Sequence, residues 1–537
     1  MKRSVLLSLI IIFIVGVVLR FYQLGAIPKS LNWDEVSWGY NAYSIATTGK
    51  DEYGITMPLS FKAFGDYKQP VYVYLDALPT ILFGLTGFAV RFPSAIFGSL
   101  AVLSVFLLTR ELFYNDKRRD ILSLLVAGLL AISPWSIQFS RVAFEANVGL
   151  FFTITGIALF LKGIRINKLW WIMFGSAVMS ISCYTYHSQK LFTPLLFAVL
   201  IVSTYNFWLK KRIVLVIVLL FFLLCNCFWL LDSRTTARGR SVIFTSNQTE
   251  LLADSAQKLI YDNAHGDILG KALHNRRLVY LNIYISNYLS HFNPEYLFLK
   301  GDNPRHHPPE MGDLYLVAFP FIILGMLYLW KMQKRVTVLI FAWLLLAPVA
   351  SSLAVDAPNA SRSMVFLPTW DIFTGLGILT FYELIRKYAK PSIIISGLSL
   401  LFLLNFIFYV HSYFLHTDLE NAYYWQYGYK EAMGFTKDYQ KTHQAKAIFS
   451  TNFEQPYIFY LFYAKVHPLT YINDGGSNRI NDKCFSIENA YFGKCDSKIT
   501  PNDLVISLGQ QQNKNLSELK KILYPNQQPA VYIYKNK

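Results

Sequence analysis

The sequence predicts a polytopic α-helical membrane protein with about eleven transmembrane helices, interfacial helices on the outer face and a small C-terminal α/β domain. Three observations carry this. Of 537 residues, 54% are hydrophobic and only 15% charged, whereas soluble chains are about a quarter charged. Runs of about 20 mostly apolar residues recur along the first 411 positions. Basic residues then crowd every second loop, which fixes which loops share a side.

The apolar runs fall at about 4–22, 92–109, 121–139, 143–161, 169–187, 191–209, 213–231, 314–330, 336–355, 364–382 and 392–410. Met1-Lys-Arg ahead of the first run has no small-residue cleavage site, so that run reads as a retained span. With the N-terminus cytoplasmic, the inside segments are 2–3, 110–119, 162–168, 210–212, 331–335 and 386–390. They hold eighteen Lys and Arg but only two acids, Glu111 and Asp116. The net charge of +17 is thus a positive-inside signal, and no nucleic-acid partner is expected. This alternation requires that 71–89 does not cross. Asp76, Pro79 and two glycines interrupt it, and it reads as an interfacial or re-entrant helix.

The outer face then carries a first loop, 23–91, and a long loop, 232–313. It also carries the turn 133–141 with Glu145, the segment 184–190, and 355–363. Asp254 to Tyr288 alternates with helical spacing and predicts one or two amphipathic helices on the membrane. The extracytoplasmic tail, 412–537, predicts strands at 445–451, 502–508 and 530–535 and helices at 419–440 and 455–465. Outside the cytoplasm, Cys484 and Cys495 fit a disulfide better than a metal site.

The first loop carries the chemistry. Asn32 reads as an N-cap with Glu35 three residues on, a capping-box spacing. Asp34 and Glu35 fall in the first helical turn, where the helix dipole favours negative charge. Successive residues on a helix point about 100° apart, so the two carboxylates do not converge on one substrate atom. One is left to act as a general base while the other orients a ligand or binds a cation. A single base suffices when the leaving group is a phosphate, as in inverting sugar transfer from a lipid phosphate.

Cations on the same face are Lys68, Arg91, Arg141, Lys190, Arg305 and Arg362. Lys68 ranks first because it shares a loop with Asp34. Arg141 ranks next because Glu145, four residues on, can pair with it across a helix start. His187, His306 and His307 are further candidates for phosphate or metal. The sequence contains no Walker A, no G-x-G-x-x-G after a strand and no H-x-x-x-H or C-x-x-C spacing. A sugar donor would therefore be lipid-linked and reached from the membrane.

The run WDEVSWGYNAYSIATTGKDEYG, continued by DYKQPVYVYLDALPTILFGLTGFAVRFPSAIFG, resembles the first module of GT-C glycosyltransferases. It is most similar to the bacterial branch of the dolichyl-phosphate-mannose–protein mannosyltransferases, related to the lipid A aminoarabinose transferase. SPWSIQFSRVAFEAN, YTYHSQKLFTPLLF, GDNPRHHPPEMGDLYL and APNASRSMVFLP resemble the same branch, as do WQYGYKEAM and FEQPYIFYLFYAK in the tail. The resemblance implies a GT-C membrane domain over 1–411, with Asp34 as base, Glu35 its partner and Lys68 near the donor phosphate. The family reads Lys-Pro-Pro where this chain has Lys68-Gln69-Pro70. In some members an acid beside this lysine and a later histidine hold a divalent metal; Asp66 and His306 are the matching positions.

The expected activity is inverting transfer of a sugar from a polyprenyl-phosphate carrier to a hydroxyl of a protein, lipid or glycan, at the outer face of a bacterial plasma membrane. Lys68, Arg141 and Arg305 would hold the phosphate. Two alternatives are a ligase using a polyprenyl-diphosphate donor and a lipid or polysaccharide transporter. Transport sites sit near the bilayer midplane; here charges gather at span ends, with Asp371 the exception.

Overall fold

The computed structural model describes residues 2–231, 243–332, 334–481 and 483–537. The opening of the predicted long loop, 232–242, and Gln333 of the basic segment 331–335 lie outside them. Among the described residues, seven helices are long and apolar enough to cross a membrane. The bent pair Arg119–Ile132 and Pro134–Ser140 makes an eighth, its two parts inclined at 54°. Three further predicted spans fall on the shorter apolar helices Leu169–Tyr184, Gln189–Ser203 and Leu316–Trp330. Helices of full spanning length are therefore fewer than the eleven expected from hydropathy.

The bend has a local cause. Pro134 has no N–H and drives the preceding residue out of the helical region. Ser133 accordingly has ψ 129°, so the predicted turn at 133–141 becomes a short helix set off by a kink. The long loop forms the helices Gln248–Ala264, Ile268–Leu273 and Arg276–Ser290. They leave Ile260, Ile268, Leu269, Leu281 and Leu289 exposed.

Packing divides the chain into two units. One comprises residues 1–13, 100–136 and 149–405; the other comprises 14–99, 137–148 and 406–537. The tail thus shares its unit with the first loop, the predicted position of the chemistry.

Helix α1 (Arg3–Phe21) leads through a loop to α2 (Trp33–Thr48). A tight hairpin of β1 (Phe61–Ala63) and β2 (Asp66–Lys68) follows, then α3 (Pro70–Phe83) and α4 (Gly87–Leu112). The hairpin turns at Phe64 and Gly65, with φ of 55° and 78°. Two positive φ values match the right-handed twist of the paired strands. Helix α4 begins five residues before the predicted span, because Arg91 is buried inside it rather than marking its edge.

The tail builds a six-stranded sheet in the order β4-β5-β3-β6-β8-β7. Its strands are β3 (Ala447–Phe449), β4 (Cys484–Ile487), β5 (Ala490–Gly493), β6 (Leu504–Ser507), β7 (Leu516–Leu523) and β8 (Pro529–Asn536). Strand β3 lies parallel to both neighbours, and the other pairings are antiparallel. The predicted strands are β3, β6 and β8, while β4, β5 and β7 were not foreseen. A disulfide joins Cys484 to Cys495. The predicted helix 419–440 is broken at Gln426 and Gly428, both of positive φ, and its regular part is Tyr429–Thr442.

The helix Pro456–Tyr463 is buried from Tyr457 to Phe462 and packs on α2. The contact passes over Gly39, where a Cβ would lie 2.7 Å from the Phe462 ring and 2.5 Å from Val90. Tyr40 reinforces it, its hydroxyl donating to Val466 O at 3.2 Å.

Candidate active site

The capping box at the start of α2 forms. Asn32 Oδ1 accepts from Glu35 N at 3.0 Å, and Asn32 N donates to Glu35 Oε2 at 3.1 Å. This fixes the first turn, and the two carboxylates diverge from it.

Glu35 points inward and is 1% exposed. Its Oε1 takes Arg91 Nε at 2.8 Å and Ala143 N at 3.2 Å; Oε2 takes Arg91 Nη2 at 3.2 Å. Arg91, fully buried, also donates to the carbonyls of Leu24, Pro28 and Ser30. Every donor on Arg91 has a partner, and both Glu35 oxygens are engaged. Glu35 therefore corrects the expectation of a ligand-orienting or reacting group: it fastens α2, α4 and the segment 24–30 together, beneath Asp34.

Asp34 points the other way, with its side chain 40% exposed. It accepts from Trp33 Nε1 at 3.2 Å and pairs with the Lys68 ammonium. Lys68 is 7% exposed at its side chain and comes from β2. Its ammonium lies 4.4 Å from the Trp38 ring centre and 5.1 Å from that of Phe64. These two rings hold the cation by its flanks and leave Asp34 as its charged partner. Phe64 is aimed by the hairpin turn, with its ring 6.3 Å from Tyr457. Asp66, two residues before Lys68 on the same strand, is half-buried, and its Oδ1 accepts from Tyr67 N at 2.7 Å.

Arg141 is fully buried and is a second correction. Its Nε donates to Tyr413 OH at 3.1 Å. The remaining nitrogens reach the carbonyls of Leu19, Arg20, Tyr22, Gln23 and Ile27. A helix leaves its last carbonyls without partners, and Arg141 supplies them at the end of α1. It is spent on the backbone and is not presented to a phosphate. Glu145, half-buried, opens the helix Glu145–Ile166. With Asp76 and Glu35 it adds to burial in pushing the Tyr72 phenol up, so Tyr72 stays a neutral donor, to Val90 O at 2.8 Å.

His187, Arg305 and His306 belong to the other unit. His187 lies in the turn before the helix Gln189–Ser203. Arg305 Nε donates to Asn303 Oδ1 at 3.5 Å. His306 is buried, and its Nδ1 bonds Asp302 Oδ2 at 2.7 Å; Ala360 N donates to the same oxygen at 2.9 Å. Asp302 was not singled out in the sequence, although it stands four residues before His306. Among the described residues no three His, Cys, Asp or Glu side chains are grouped as metal ligands.

Glu52 is the functional-looking carboxylate that sequence reasoning missed. It is fully buried and accepts from Asn41 Nδ2 at 2.9 Å and Ser477 Oγ at 2.5 Å. Burial pushes its carboxyl from the ordinary glutamate range up to about 7, against the opposing pull of Ser477, Asn41 and Lys68. The folded state thus favours the protonated form. Stability is full below the ordinary glutamate range and is lost as pH rises from there through about 7. The loss is roughly 3 kcal/mol. Glu52→Gln is expected to remove that slope, read as the thermal midpoint between pH 4.5 and 8; an unchanged slope would show that the fall comes from other groups.

The site can be set beside known proteins. Residues 67–230 match the family model described as dolichyl-phosphate-mannose-protein mannosyltransferase. The Bacillus subtilis protein named "Putative mannosyltransferase YkcB" is 25% identical over 147 residues, which is 27% of this chain and 20% of that protein. The chain thus spans a fifth of the length of that relative. The structure of ArnT from Cupriavidus metallidurans bound to undecaprenyl phosphate has a TM-score of 0.55 at 12% identity, covering 98% of this chain and 97% of that one. The oligosaccharyltransferase AglB from Archaeoglobus fulgidus, in complex with an inhibitory peptide and a dolichol-phosphate, has a TM-score of 0.51 at 16% identity. It covers 86% of this chain and 64% of AglB. The chain is therefore an integral membrane protein that shares the fold of ArnT and AglB, and it is similar over residues 67–230 to the family model described as dolichyl-phosphate-mannose-protein mannosyltransferase.

Proposed function

We propose that this chain is an inverting glycosyltransferase that moves a sugar from a polyprenyl-phosphate carrier to an acceptor hydroxyl. The observation that carries the reading is the divergence of the two carboxylates. Glu35 is locked on Arg91, while Asp34 stays half-exposed with the Lys68 cation on it. An exposed carboxylate paired to a nearly buried lysine is poised for exchange. When the donor phosphate arrives, Lys68 turns its charge to the phosphate oxygens and Asp34 is released as base. Asp34 takes the acceptor proton as the acceptor oxygen attacks the anomeric carbon from the face opposite the phosphate. The phosphate leaves without a proton, so one base is enough, and the cation steadies its growing charge.

In this reading the N-terminus is cytoplasmic, and the first loop and tail face the outside of a bacterial plasma membrane. The prenyl chain of the donor stays in lipid. The ArnT and AglB structures, with their undecaprenyl phosphate and dolichol-phosphate, support a carrier of this class.

The test is a panel of radiolabelled polyprenyl-phosphate sugars offered to the purified full chain in lipid nanodiscs. Consumption of one monophosphate donor is expected. Turnover of diphosphate donors alone would replace the reading with a glycan ligase, and turnover of none would remove the enzyme. An EDTA arm reads metal dependence: a rate lost and then restored by added divalent cation would assign one, with Asp66 and His306 its first candidate ligands. Lys68→Met is expected to raise KM for the donor roughly 10–100-fold, the worth of one charge-assisted contact. An unchanged KM would take Lys68 off the phosphate.

A further inference from the structure

The unit formed by residues 1–13, 100–136 and 149–405 contains a small cavity of about 20 Å³ behind the Ser133–Pro134 kink. That is room for a single water-sized particle. Asp371, Ser133, Thr374 and Tyr315 line it together with apolar side chains. Asp371 lies in the span Met364–Ile385 and is 6% exposed. Its carboxylate makes no hydrogen bond or ion pair among the described residues, and Oδ2 is sealed from solvent.

The other polar groups decide what the cavity accepts. Thr374 Oγ1 gives its proton to Trp370 O at 2.8 Å. Tyr315 OH gives its proton to Ile132 O at 2.5 Å. Both hydrogens are committed to backbone carbonyls, so both oxygens offer the cavity lone pairs only. Ser133 Oγ accepts from Ser136 N at 3.4 Å and alone keeps a proton to give. No lining residue is a cation. A carboxylate inside a span is expensive unless something compensates it. Here the compensating group must be small, positive and content with oxygen donors. One carboxylate matches one positive charge, whereas a divalent ion takes six or more oxygens and usually more than one acid.

We propose that this cavity is a binding site for a single Na⁺ ion, held by Asp371 with the oxygens of Thr374, Tyr315 and Ser133. The ion ties the helix Leu367–Ile385 to the kink. Broken helices of membrane transporters hold Na⁺ with unwound backbone carbonyls; at this kink side-chain oxygens take that part. The site is independent of the sugar-transfer reading and stands or falls without it.

The experiment is equilibrium binding of ²²Na⁺ to the full chain in neutral-lipid nanodiscs, with choline chloride holding ionic strength constant. Saturable binding of one ion per chain is expected, together with a thermal midpoint that climbs with the logarithm of NaCl concentration. Asp371→Asn keeps the shape and removes the charge. It is expected to lose the binding and the salt dependence while unfolding at or above the wild-type midpoint in sodium-free buffer. If that variant fails to fold, Thr374→Val supplies the second reading, with at least tenfold weaker binding. No saturable binding to wild type would overturn the site and leave a neutral carboxylic acid with one water. Equal binding by wild type and Asp371→Asn would place the ion elsewhere and overturn it as well.

Discussion

Asp34→Asn is expected to slow sugar transfer on the order of 10²–10⁴-fold, the usual worth of a positioned general base, while donor affinity stays within a few-fold. Asparagine has the shape of aspartate, and its Oδ1 still accepts from Lys68 Nζ, while the bond from Trp33 Nε1, made to the other oxygen, is lost. The side chain is 40% exposed, and the capping of α2 rests on Asn32 and Glu35. The fold thus loses little, and what disappears is the capacity to take a proton. Single-turnover transfer with a saturating labelled donor separates the cases. A slow chemical step with normal donor binding supports the base. Equal rates in both proteins would reduce Asp34 to a helix-end charge.

Glu35→Gln acts through stability. Arg91 is fully buried, and its carbonyl partners neutralise none of its charge. Removing one member of a buried ion pair costs about 3–5 kcal/mol, because the other charge stays buried alone. A marked drop in thermal midpoint is expected, larger than for Asp34→Asn. The double change Glu35→Gln with Arg91→Met is expected to recover part of the loss, since it removes the stranded charge. If Glu35→Gln unfolds with the wild type, the pair is a passive contact and the account of the locked carboxylate is wrong.

The divergence of these carboxylates was legible in the sequence, because adjacent helical residues face about 100° apart. Their partners were only half legible. Lys68 was readable as a cation in the same loop as Asp34. Arg91 stands 56 positions from Glu35, and spacing carries no information across such a gap. Arg141 ranks for the phosphate because it shares the outer face with Lys68 and has Glu145 four residues on. The carbonyls it serves lie more than a hundred residues earlier, and a helix end short of donors leaves no mark on a distant arginine.

The membrane helices were visible as apolar runs, but their lengths were not. Pro134 shortens one, and Arg91, once neutralised, lengthens another. In the tail, β3, β6 and β8 are rich in β-branched and aromatic residues and could be read. Strand β7 carries Glu518, Lys520 and Lys521 and owes its form to pairing with β8. Tertiary pairing of this kind overrides local preference.

The bond from Ser477 to Glu52 joins residues 425 positions apart. At the usual pace of synthesis, about 5–20 residues per second, roughly 20 to 85 s separates the two ends of that contact. During this time the first loop has left the ribosome while the surface that buries Glu52, and that backs Gly39 and Tyr40 through Phe462 and Val466, has not yet been made. The loop that carries Asp34 and Lys68 is therefore completed last, although it is translated first.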